Sequence, residues 1–189
     1  MEKEKVDPSI ERLQRAVVIA ALDHPTHKGL AWSYFINQIA ADRGKMVAEQ
    51  LYAVLVGSQV LNLTLALEVH YTFPTINPQW LFAGFGPVEL RPLQAPLTGH
   101  AWCNVDTHVK HSFNIRFGSV LFKSDHRLLL TDRAGMTSTH SYRWRADTRR
   151  LEMLDTTYLV CDLTPVALTM IDLSHAERGM GALLNFSFR

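Results

Sequence analysis

The sequence predicts an α+β fold, with N-terminal helices packed on a mostly antiparallel sheet of about six to seven strands. Three observations predict it. Apolar residues in the first third recur at helical spacing. The remainder alternates with period two. The helical stretch precedes the strands instead of interleaving with them, which argues against repeated strand–helix–strand units. The 189 residues are 47% hydrophobic and 20% charged, which suits one domain able to bury a core without disulfides or metal. The chain divides into a tail at 1–6, a helical part at 7–57 and a β-rich part at 58–189 with a long loop at 74–99.

Asp7-Pro8 reads as an N-cap acid followed by proline at the first helical position. Ile10, Leu13, Val17 and Ala21 then share one helical face. Residues 23–29 form a loop. Leu30 to Arg43 is a second helix with Phe35, Ile36, Ile39 and Ala40 as its apolar stripe, and Gly44 stands where a helix-ending glycine belongs. Lys45 to Val56 is a third, carrying Met46, Val47, Leu51 and Leu55 and ending at Gly57-Ser58.

From Leu61 the period changes. Leu61, Leu63, Leu65, Leu67, Val69, Tyr71 and Phe73 alternate with Asn62, Thr64, Ala66, Glu68, His70 and Thr72, which predicts a half-buried strand with one wet face. Residues 74–99 hold five of the eight prolines and three of the ten glycines, an irregular connection with a turn of helix near Trp80. Val109, His111, Phe113, Ile115 and Phe117 share a strand face. Shorter strands follow at Val120 to Lys123 and Arg127 to Thr131. Ser138 to Arg145 and Leu151 to Leu154 bracket a hairpin turn at 146–150. Thr157 to Leu163, Ala167 to Leu173 and Ala182 to Phe188 complete the sheet.

Two cysteines, Cys103 and Cys161, are too few for a disulfide scaffold. The start Met1-Glu2-Lys3-Glu4-Lys5 lacks the pattern of a secretory leader, and no stretch reaches the length of an apolar membrane span. A cytoplasmic protein with reduced thiols and no membrane contact is the expectation.

The net charge is only +1, but its distribution is uneven. Residues 108–150 hold nine Lys/Arg against three acids, a net +6, leaving −5 for the rest of the chain. Strand alternation places Lys110, Arg116, Arg143 and Arg145 on one outward face, with Arg149 and Arg150 at its rim. Guanidinium forks match phosphate oxygens, and a clustered field attracts polyanions. The same alternation turns Tyr142 and Trp144 inward, away from the arginines. The leading expectation is therefore a non-enzymatic binding protein whose basic sheet face engages nucleic acid or an acidic protein partner.

Other constellations suggest enzymes. His70-x-Thr72 at a strand end would put an imidazole and a hydroxyl on one face, and His24-Pro25-Thr26 repeats that spacing. This pair resembles the two His-x-Thr/Ser motifs of the two-histidine phosphoesterases, and the resemblance covers only these short stretches. It implies phosphoester chemistry at His70 and Thr72. His100, Cys103, His108 and His111 are metal-ligand types at close spacing, although His108 and His111 fall on opposite faces of an extended strand. A third expectation is a small-ligand or homodimer module in which the 74–99 loop, around Trp80, Phe82 and Phe85, is a lid or contact surface. No nucleophile elbow, phosphate-binding loop or zinc-protease motif occurs, and no motif calls for a cofactor.

Overall fold

The computed structural model describes residues 7–22, 31–109, 117–132, 134–176 and 182–188. They form two compact units, Met1–Leu90 and Arg91–Arg189, each with its own apolar core. The first is helical: α1 (Pro8–Leu22), α2 (Ala31–Arg43), α3 (Lys45–Leu55), α4 (Leu63–Thr72) and α5 (Pro78–Ala83). The second holds β1 (Ala101–Val109), β2 (Phe117–Phe122), β3 (Arg127–Asp132), β4 (Thr137–Arg145), β5 (Arg150–Met153), β6 (Thr156–Leu163), β7 (Ala167–Asp172), a short α6 (Leu173–Ala176) and β8 (Ala182–Phe188). No helix among the described residues is long and apolar enough to cross a membrane.

In the helical unit, Leu13, Ala16 and Val17 of α1, Phe35 and Ile39 of α2, and Leu51 and Val54 of α3 are fully or almost fully buried. These helices fall where the apolar periodicity places them. The Leu61–Phe73 segment does not: it is the helix α4, not a strand. Asn62 caps it, its side-chain oxygen accepting the Leu65 N–H at 2.8 Å. Leu63, Leu65, Ala66, Leu67, Val69 and His70 are all buried. A helix covered on most sides shows no 3.6-residue stripe, so leucines at every second position imitate a strand. The helical part therefore reaches Leu90 and not residue 57.

Within 74–99, the turn of helix expected near Trp80 is present as α5. Asn77 caps α5, accepting the Gln79 N–H at 3.0 Å while its amide nitrogen donates to Pro87 O at 2.9 Å. Ile76 and Glu89 form a bridge. Arg12 reaches from α1 to the end of α5, donating to Leu81 O at 2.9 Å and Phe82 O at 2.8 Å. A cation is well placed there, because the last carbonyls of a helix lack partners and carry partial negative charge.

The sheet is a closed barrel of eight antiparallel strands in the order β1 to β8, with β8 pairing back to β1. This corrects the expected six to seven strands. β1, at Ala101–Val109, lies in a stretch to which the sequence pattern assigned no strand, and most of the strand expected at Val109–Phe117 lies outside the described residues. Closure also changes how the apolar face is buried. An eight-stranded barrel has an interior just wide enough for side chains to fill. Here Trp102, Phe122, Leu128, Tyr142, Leu151, Tyr158, Val160, Leu168, Met170 and Phe186 fill it. Phe122 and Tyr142 meet edge to face at 5.0 Å.

Candidate nucleic-acid interface

The structure separates the six cations proposed from sequence. Lys110 and Arg116 lie outside the described residues. Arg143 and Arg145 are exposed on β4, while Tyr142 is buried and Trp144 half-buried between them. The β4–β5 register sets Arg143 opposite Glu152 and Arg145 opposite Arg150. Arg143 Nη1 lies 3.5 Å from Glu152 Oε2, so part of its charge is met by a carboxylate. Arg145 and Arg150 make no ion pair among the described residues. Directly opposed residues have Cβ atoms about 5 Å apart, which places two unneutralised guanidinium groups on one patch of the outer wall.

Arg149 does something different. It sits in the β4–β5 turn with φ of 54°, in the left-handed region. Its Nη2 donates to the Arg91 carbonyl, and its Nη1 is buried without a hydrogen-bond partner among the described residues. Burial pushes its pKa down from the ordinary value, with Cys161 and Asp162 opposing that shift. It remains a cation, but one spent largely on holding the backbone at Arg91. Arg127, which was not singled out from sequence, is exposed opposite Ser141, and its charge is met by Asp125. The outward residues of β4 continue as Thr137, Thr139 and Ser141, all exposed. Hydroxyls beside arginines are suited to phosphate oxygens. Alternation alone could have identified this stripe, because each is an odd-numbered neighbour of Arg143.

The enzymatic constellations do not assemble as the sequence suggested. His70 and Thr72 lie on a helix, where two residues are about 200° apart around the axis, so they cannot share one phosphate. His70 is buried and its Nδ1–H donates to Ile76 O at 3.0 Å, since a carbonyl can only accept. Thr72 Oγ1 is buried with no hydrogen-bond partner among the described residues. His24 lies outside the described residues, as do His111 and the side chain of His108. Of the proposed metal cluster, His100 packs edge-on against Trp102 at 5.6 Å, and Cys103 is a free, half-buried thiol on β1. Among the described residues no three His, Cys, Asp or Glu side chains could hold one metal ion. Trp80 belongs to the helical core and Phe82 packs against it, so the aromatics proposed for a lid mostly serve packing; Phe85 is exposed.

Grooves occur on both units among the described residues. One, of about 740 Å³, lies where β5 ends, lined by His140 to Arg143 and Glu152 to Thr157. The other, of about 430 Å³, lies on the helical unit among Trp32, Ile36, Tyr52, Leu55 and Val56. No family model matches this chain, and no curated protein or solved structure matches it.

Proposed function

We propose that the barrel unit is a non-enzymatic binding module that engages nucleic acid through the outer face of β4 and β5. The observation that supports this most is the Arg145–Arg150 pair: two exposed arginines face each other across strands with no acid between them. Like charges in that position cost stability, and a phosphate bridging both removes the cost. Arg143 extends the patch, and the hydroxyls of Thr137, Thr139 and Ser141 continue it along the strand. The neighbouring aromatics turn inward, so the face offers guanidinium and hydroxyl groups to a backbone and no platform for stacking bases.

The test is fluorescence anisotropy of labelled duplex DNA and duplex RNA against salt concentration. Wild type binds with an affinity that falls as salt rises, as counterion release demands. The double variant Arg145→Glu/Arg150→Glu loses most of the affinity and flattens the salt slope by about two charges. Unchanged affinity and slope in that variant overturn the reading. Binding of a polyglutamate peptide in place of nucleic acid would instead point to an acidic protein partner.

A further inference from the structure

A second feature borders the arginine patch and shares β4 with it: the strand's backbone edge, as distinct from its outward side chains. β4 spans nine residues and β5 only four. The register pairs β5 with Tyr142 to Arg145 alone, so the first half of β4, Thr137 to Ser141, extends past the end of β5. On its other side this half is fully paired with β3. The direction of its remaining backbone groups follows. Tyr142 N–H donates to His126 O on the β3 side at 2.9 Å. Along an antiparallel strand the N–H and C=O of successive residues point alternately to the two sides. Ser141, Thr139 and Thr137 therefore direct their backbone donors and acceptors away from β3, to where β5 would run if it were longer. No described backbone group meets them. The corresponding overhang of β6 is treated differently: Gln94 N–H donates to Leu163 O at 2.9 Å, so the chain covers that edge itself.

Two further observations meet at the same place. The 740 Å³ groove opens at the near end of this gap, where His140 and Ser141 line it beside the β5 turn. The turn that ends β5, Leu154-Asp155, has φ of 52° and 57°, so two consecutive non-glycine residues adopt the left-handed conformation at the groove's end. A tight two-residue hairpin requires this pair of angles, so the turn fixes where β5 stops. The edge also lacks the devices that protect exposed strands: Thr-Ser-Thr-His-Ser contains no proline, lysine or acid.

We propose that an extended peptide of four or five residues adds to the free edge of β4, antiparallel to it and in line with β5. Five residues of edge span about 16 Å. Backbone hydrogen bonds supply affinity in this mode, while pockets and charges choose the peptide. Charge sets its polarity. A peptide antiparallel to β4 runs in the direction of β5, so its N-terminal end abuts the Leu154-Asp155 turn. Asp155 is an exposed carboxylate with no ion pair among the described residues, and Glu152 lines the same groove, shared with Arg143. The occupant is therefore a peptide with a cationic N-terminal end, a free amine or a leading lysine or arginine.

The probe is a pooled library of synthetic free-amine pentapeptides with lysine first, and binding is followed by amide chemical shifts and hydrogen exchange in the full chain. Binding with new protection at the Ser141 and Thr139 amides supports the proposal. Thr139→Pro removes an edge donor while sparing the β3 ladder, and should weaken binding by roughly tenfold or more. Thr139→Ala should leave it unchanged. Asp155→Asn, or acetylation of the peptide amine, should weaken it several-fold. The proposal is overturned if no library member binds at millimolar concentration. It is equally overturned if peptides bind without perturbing the Ser141 and Thr139 amides, a readout that stands even if the proline variant fails to fold.

Discussion

Arg145 on β4 stands directly opposite Arg150 on β5, and both side chains are exposed on the outer wall of the barrel. Removing this like-charge pair should affect stability and binding in opposite directions. Arg150→Glu converts it into an opposite-charge pair and should stabilise the protein by about 0.5 kcal/mol. The gain should shrink in high salt, because both groups face water. Urea unfolding at low and high salt measures it. The same variant should bind duplex nucleic acid less well than wild type. A variant that is less stable and binds equally well would contradict both halves of the argument.

The Leu154-Asp155 turn predicts two substitutions of opposite sign. Both residues have positive φ, as the two-residue turn of a tight hairpin requires, yet neither is glycine. Asp155 is exposed, so Asp155→Gly relieves the backbone and loses little else. It should raise stability by about 0.5 kcal/mol, a rise in Tm of roughly 2–4 °C. Leu154 is half-buried and packs on the barrel core. Leu154→Gly gives up that contact and should lower stability by about 1 kcal/mol despite the relieved strain. Calorimetry of the two variants decides this.

Gly118 is required by close approach and not by its own dihedral angles. A Cβ added there would stand 2.9 Å from the backbone carbonyl oxygen of Asp132. A side chain could swing away, but this obstacle is the neighbouring strand. The β2–β3 register also shifts between Phe117 and Ser119. Gly118→Ala should therefore push the strands apart and cost about 1–3 kcal/mol. Urea unfolding gives the value, and an unchanged midpoint would show that the strands separate freely.

Tyr158 makes the barrel sensitive to alkali. Burial, and secondarily the nearby Asp172 charge, pushes its pKa from 10.0 up to about 12. In the unfolded chain the phenol ionises near the ordinary value, while in the fold it stays protonated. Its contribution is therefore complete below pH 10 and is lost as the pH rises from about 10 to about 12. The loss is on the order of 2–3 kcal/mol. Unfolding measured at pH 9 and above 11, in wild type and Tyr158→Phe, isolates it. Absorbance of tyrosinate should show one late-titrating group that the variant lacks.

Helices α1, α2 and α3 were legible because each has one wet face, so Leu13 and Val17, or Phe35 and Ile39, stand out against polar neighbours. The strands from β3 onward were legible within a residue or two, since turns such as Ala146 to Arg149 punctuate them. α4 was misread because its burial on most sides erases the period that identifies a helix, although Asn62 carried a capping signal. Within the candidate interface, the outward position of Arg143 and Arg145 followed from alternation. What Arg149 touches did not: its carbonyl partner at Arg91 is 58 residues away.

Local pattern by itself determined the α+β class, the order of helices before strands, and the faces that Tyr142 and Arg143 present. These depend on side-chain period, which neighbouring residues set among themselves. Only the tertiary structure decided that β8 returns to β1, that Arg145 meets Arg150 while Arg143 meets Glu152, and that β4 outruns β5. Those are matters of register and closure. They depend on pairing between segments far apart in the chain, and a period of two is equally satisfied by many registers until the whole barrel must close.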